Sequence, residues 1–330
     1  MRALSRIFAA VVLLAVIGAG WAFMQLNRQY EGFSQPVFLE FERGTSTRAM
    51  ARQLADKGVV ESPWLFLAAR TLRRGVNLQA GEYKFDKPAS PLEVFGRIAR
   101  GDIYYMELLI PEGFNMFDIA EAVGKLGTVS PESFLEAARD PAMIRDLDPH
   151  APSLEGYLFP NKYRVYRHTT AKQICRMMTE EFRARWKALG GTGNVHDVIT
   201  LASMVEREAR RPEERPLVAS VFQNRLTSGM RLDCDPTTVY AALIEHRYRG
   251  AIYRSDLASP SPWNTYQHAG LPPGPIANPG LSAIQAALTP ATTNYFYFVA
   301  KADGSGGHNF SESLLNHEAA VAQYHRAVGR

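Results

Sequence analysis

Hydrophobic and polar positions follow three different rhythms along this chain. Residues 7–26 read IFAAVVLLAVIGAGWAFMQL, twenty positions without a charge. As a helix rising about 1.5 Å per residue, that run spans roughly 30 Å, the thickness of a bilayer's hydrocarbon. A membrane-crossing helix over 7–26 is therefore predicted, with residues 1–6 as a short tail. From residue 37 the apolar positions fall into short strand-like and helix-like runs. FLEFERGTSTRAMARQLADKG and LLIPEGFNMFDIAEAVGKLG resemble each other at an offset of 69 residues, with Gly44 matching Gly113 and Gly58 matching Gly127. Each copy then runs into Ser-Pro, at Ser62-Pro63 and Ser130-Pro131. Each predicts a short strand, a glycine turn, an amphipathic helix closed by glycine, and a second helix opened by Ser-Pro, an arrangement that reads as an internal duplication. Between the copies, Gly81 to Phe85 alternates like a strand, and Pro91 opens a helix ending near Gly101.

The third regime begins near Pro152. An aromatic and turn-rich run, SLEGYLFPNKYRVYRHTT, precedes a helical pattern from Ala171 to Leu189, which Gly190-Gly191-Thr192-Gly193 breaks. A helix capped by Asp197 follows. At about 100° per residue its buried stripe is Val198, Leu201, Ala202, Val205 and Ala209. Glu206 and Glu208 fall on opposite half-buried shoulders of that stripe, and periodicity does not choose between them. A further helix starts near Glu214, and Asn224 shares its face with Leu217 and Val221. MRLDCDPTTVYAAL reads as an extended piece turning at Asp235-Pro236. A long Pro- and Gly-punctuated loop then collects Trp263, Asn264, Tyr266, Gln267, His268 and Asn278, flat rings and amides suited to a polyhydroxylated ligand. Strand-like YFYFVA, a turn at 303–307 and a helix from about Ser311 close the pattern. The fold class is α+β: a single N-terminal transmembrane helix, a small βα module over 37–150 and a mixed α+β domain over 151–330.

Composition narrows the chemistry more than it names it. Of 330 residues 46% are apolar and 21% charged, an ordinary globular balance. The net charge of +4 is not concentrated in any arm, so no nucleic-acid partner is expected. Arg2, Arg6 and the terminal amine precede the apolar run and Arg28 follows it, which predicts a cytoplasmic tail and an exported body. A cleaved signal at Gly18-Ala19-Gly20 is the rival, but the apolar run continues beyond it through Trp21 and Phe23. Cys175 and Cys234 are too few for a disulfide framework, and pair only if the compartment oxidises them. There is no H-E-x-x-H, G-x-S-x-G, P-loop or G-x-G-x-x-G after a strand. Asp233 and Asp235 read as a turn, His308 and His317 are isolated, and no metal or cofactor is expected. The candidates for chemistry are carboxylates and amides: Glu155 in the S-L-E-G-Y run, and Glu206 as an acid.

The runs LEGYLFPNKYRV, ITLASMVEREA, VASVFQNRLTSGMRL, DPTTVY, SPWNTY, GLPPGPIANPG, YFYFVA and DGSGGHNFS, in this order, closely resemble the endolytic murein transglycosylase family, also called MltG or YceG-like. The resemblance covers about Val37 to the C-terminus. It implies a single-pass inner-membrane protein exposing a LysM-like module and a catalytic domain to the periplasm, where it cuts nascent peptidoglycan strands. Cell-wall synthases and elongation or division machinery are the implied neighbours. The resemblance makes Glu206 the acid/base and Glu208 secondary. Asn224, Asp235, Asn264 and Tyr266, which fall in the matching motifs, become candidates for binding sugar or orienting the acid, with Glu155. Where the family often has Gln followed by Thr or Ser before D-P-T, this chain has Asp233-Cys234. The alternatives are a hydrolysing muramidase using Glu206 with Glu155 or another acid, and a silent glycan-binding scaffold.

Overall fold

Glycines that accept a left-handed backbone and serines that cap the next helix give the N-terminal half its local form. The structure, a computed structural model, describes residues 2–73, 75–191 and 193–329. The side chains of residues 2–5, Arg2 among them, and Thr192 of the glycine-rich break lie outside the described residues. The chain divides into two compact units, residues 1–105 and 106–330.

In the first unit, helix α1 (Arg2–Asn27) is exposed from Ile7 to Met24. It is long and apolar enough to cross a bilayer, a property it shares with an export signal. Only its end is covered, where Leu26 joins the core of this unit. Strand β1 (Val37–Phe41) leads into α2 (Thr47–Asp56) and α3 (Pro63–Leu72); β2 (Gly81–Phe85) pairs antiparallel with β1, Leu39 opposite Tyr83, and leads into α4 (Pro91–Arg100). Ser46, Ser62 and Ser90 each accept a backbone N–H at the start of α2, α3 and α4. Phe41, Leu54, Phe66, Tyr83, Phe85, Phe95 and Ile98 fill the core between sheet and helices.

The second unit opens with the same order: β3 (Met106–Leu109), α5 (Met116–Gly124) and α6 (Pro131–Arg139), with Gly113 and Gly127 left-handed like Gly44 and Gly58. Its surroundings are different. β3 pairs antiparallel with β4 (Lys162–Val165), Leu108 opposite Tyr163, inside the run read only as aromatic and turn-rich. That sheet crosses the boundary expected at residue 150. Leu108, Ile119, Phe134, Leu154 and Tyr157 accordingly share one core with the helices that follow.

Those helices are α7 (Ala171–Ala188), α8 (Val195–Glu208), α9 (Arg215–Thr227), α10 (Asp235–Ile244), the short α11 (Arg254–Leu257) and α12 (Leu281–Leu288). Asn194, not Asp197, caps α8; its side chain accepts the His196 N–H. Asp235-Pro236 begins α10 rather than a turn, because proline in a first helical turn sacrifices no hydrogen bond. The long loop ends at Gly280, the cap residue of α12. An antiparallel hairpin, β5 (Tyr297–Ala300) and β6 (His308–Ser311), precedes α13 (Leu314–Ala327). Gly156 lets the chain pass closely over α8: it is left-handed, and a Cβ there would lie 2.4 Å from Pro275 and 2.9 Å from Ile199.

Candidate active site

The end of α8 brings both shoulder carboxylates into play. Val205 and its neighbours bury one face of the helix, so Glu206 and Glu208, about 200° apart around the axis, enter different surroundings.

Glu206 points at α9 and α12. Arg215 Nη2 donates to its Oε1 at 2.6 Å, and the Gly280 N–H donates to its Oε2 at 3.0 Å. The side chains of Glu206 and Arg215 are only 5% and 8% exposed. Arg215 also donates to Ser282, and Glu112 lies 3.6 Å from it. Gly113 sits over the Glu206 stem, 3.5 Å from where its own Cβ would be. Burial pushes the Glu206 carboxyl up; the Gly280 N–H and the Arg215 guanidinium pull against it. The cation at Glu206 is thus Arg215, whereas Arg207 turns away and donates to the Gly113 carbonyl at 3.0 Å.

Glu208 is the last residue of α8 and is half-buried. Cys234, at the start of α10, donates its S–H to Glu208 Oε1 at 3.2 Å. Burial pushes the Glu208 carboxyl up to about 7; the Asp235 charge adds to this, against the Cys234 hydrogen bond and Arg207. The helix end helps as well, since its unpaired carbonyls disfavour a negative charge there. Asp235 is exposed and accepts from the Tyr266 hydroxyl at 2.7 Å. Burial and then Asp235 push Tyr266 up, so it remains a donor.

The other candidates brace the scaffold. Glu155 is 1% exposed. It accepts the Met116 N–H at the start of α5 at 2.8 Å and the Asn278 amide at 2.7 Å, and Tyr240 also donates to it. Asn278 ties this group to the loop, since its Oδ1 accepts the Leu158 N–H at 2.8 Å. Burial drives the Glu155 carboxyl up to about 8. Asn264 is 0% exposed, and its amide donates to the carbonyls of Asp256, Leu257 and Ser259. It holds the loop and cannot face a ligand. Asn224 donates to the carbonyls of Thr293 and Tyr295, at 2.9 and 2.8 Å. Gln267 and His268 likewise bond loop carbonyls. The amide cluster read as a ligand platform is thus largely the loop's own internal framework. Asp233 turns to Arg225, and His308 to Glu214. Among the described residues no group of three or more His, Cys, Asp and Glu is placed to hold a metal ion. Cys175 and Cys234 are both free and buried.

Arg215, Glu112 and Gly280 were not singled out from sequence. The only available signal was an arginine beside Pro216, nine residues after Glu206, and many surface helices begin that way.

A family model described as the YceG-like family matches residues 39–323. The endolytic murein transglycosylase of Bacillus subtilis is 31% identical over 311 residues, covering 87% of this chain and 84% of that protein. A protein of the same description from Streptococcus pneumoniae is 26% identical over 321 residues; the match covers 87% of this chain and 58% of that one. The crystal structure of a yceG-like protein from Listeria monocytogenes superposes with a TM-score of 0.57 at 30% identity, over 86% of this chain and 99% of the other.

Proposed function

This chain belongs to the YceG-like family, and from that premise we propose that it is an endolytic lytic transglycosylase of peptidoglycan. It cuts the β-1,4 bond between N-acetylmuramic acid and N-acetylglucosamine and leaves a 1,6-anhydro end. One carboxyl group suffices for this chemistry. The protonated acid donates to the leaving oxygen. As carboxylate it then takes the proton of the muramyl C6 hydroxyl, which attacks C1 of the same sugar. The substrate brings its own nucleophile at high effective concentration, where an ordinary glycosidase needs a second carboxylate.

Of the two carboxyls on α8, we assign the acid/base role to Glu208 and not to Glu206 as first expected. The supporting observation is the contrast in partners. Both Glu206 oxygens accept strong donors, a guanidinium and a backbone N–H, so its proton and its freedom to move are both compromised. Among the described residues Glu208 has only a thiol for a donor, and it holds its proton to about 7, the range a general acid needs. Asp235 and Tyr266 beside it then contact the sugar or orient the acid.

Hydrolysis by two carboxylates is the second reading, and the Asp235 carboxylate near Glu208 is what favours it; Glu155 is too deeply buried to serve. Mass spectrometry of digested glycan strands separates the readings. Anhydro-muramyl ends are expected from the native enzyme and none from Glu208→Gln. Reducing ends would overturn the anhydro mechanism, and an active Glu208→Gln would overturn the assignment of the acid. Unchanged digestion products with or without the protein would favour a silent scaffold.

The remaining parts follow from this reading. α1 serves as an uncleaved inner-membrane anchor with a cytoplasmic tail, and the body faces the periplasm. The LysM-like module, expected over residues 37–150, is narrowed in this reading to residues 37–105, which carry their own core. Cell-wall synthases and elongation or division machinery are the neighbours this placement implies.

A further inference from the structure

Among the described residues, the hydrogen bond that reaches the Glu208 carboxyl comes from a thiol. Cys234 is 1% exposed and stands at the cap position of α10. Its backbone is held from two sides: its N–H donates to Thr265 Oγ1 at 3.0 Å, and its carbonyl accepts from Thr237 Oγ1 at 2.6 Å. The sulfur therefore has a fixed place, 3.2 Å from Glu208 Oε1. Burial first, and then the Glu208 charge, push the thiol well above its ordinary range, so it stays a donor and is not a nucleophile.

From this geometry we infer that Cys234 is a positioning residue for the reaction. It holds the Glu208 carboxyl with a weak donor, so the group is oriented without being driven to the carboxylate. This rests on the reading of Glu208 as the acid. A hydroxyl here would satisfy the same geometry but would stabilise the negative charge more strongly, because S–H is a poor donor. The other groups acting on Glu208 are Asp235 on α10, which favours the proton, and Arg207 on α8, which opposes it and is itself engaged with the Gly113 carbonyl. Tyr266, from the loop, acts on Asp235 rather than on Glu208. Cys234 is the member of this set that touches the acid directly.

The test is the pH profile of kcat on purified glycan strands for the native enzyme, Cys234→Ala, Cys234→Ser and Glu208→Gln, with thermal melts to confirm folding. Activity falls on the alkaline side as the acid loses its proton. Loss of the donor in Cys234→Ala moves that limb up, and the stronger donor in Cys234→Ser moves it down, each by about half to one pH unit. If alanine weakens the start of α10 too far, serine alone still reads the direction. An alkaline limb unmoved in both variants, with Glu208→Gln inactive, would overturn the role of Cys234 and leave the acid in place. Native rates in Glu208→Gln would overturn the acid itself.

Discussion

One residue separates Glu206 from Glu208, yet the two carboxyls live in opposite electrostatic worlds. Glu206 meets the N–H at the start of α12, the positive end of a helix, and a buried guanidinium. Glu208 sits at the negative end of its own helix, beside another carboxylate, under a thiol. Two carboxyls with contrasting surroundings commonly take different roles. Here the first is suited to hold three elements together and the second to carry a proton.

The largest expected effect on this contrast is catalytic. Glu208→Gln should lower kcat by about a thousandfold, the scale of a lost general acid, with its melting temperature nearly unchanged. Glu206→Gln should instead act on stability and keep activity within about tenfold per folded molecule. Equal losses in both variants would erase the distinction.

Next is the buried pair. Arg215→Met strands Glu206 among apolar and backbone groups and should cost about 3–5 kcal/mol in denaturant unfolding, whereas the double variant Glu206→Met with Arg215→Met should recover most of it. No recovery would mean that the pair is not the unit.

Glu155 supplies a pH-dependent test away from the reacting group. The native state holds its proton up to about pH 8, while the unfolded chain releases it near the ordinary carboxyl value. Across that window the unfolded state binds fewer protons, so stability should fall as pH rises. Glu155→Gln should make the fall in melting temperature between pH 5 and 8 shallower, the remaining slope belonging to Glu208 and Glu206, whose carboxyls burial also pushes up. A slope left unchanged by the substitution would place its origin elsewhere.

The smallest effect is expected at Gly280→Ala. The new Cβ would fall 2.0 Å from the Glu112 carboxyl, but Glu112 is a half-exposed, flexible side chain and the Gly280 φ of −78° suits any residue. The cost should stay below about 1 kcal/mol, with activity preserved. A large loss would show that Glu112, too, is held rigidly at this corner.

Much of the fold was legible because it is local. The paired glycines, the Ser-Pro helix starts and the twenty-residue apolar run each act within a few neighbours, and each appears where the pattern puts it. The errors came from partners distant in sequence. β4 is too short and aromatic to stand out until β3 lies beside it. Asp235-Pro236 looks like a turn unless the following residues are seen to pack as α10. Asn264 looks like a ligand contact until its amide is found bonded to the loop behind it.

The candidate site divides along the same line. Sequence periodicity by itself put Glu206 and Glu208 on opposite half-buried shoulders of one helix, because a turn of helix is a property of the local backbone. Which shoulder meets a guanidinium and which meets a thiol depends on α9, α10 and α12, elements whose approach is governed by core packing across the whole second unit. The character of a carboxyl follows from what surrounds it, and only the tertiary structure determines those surroundings.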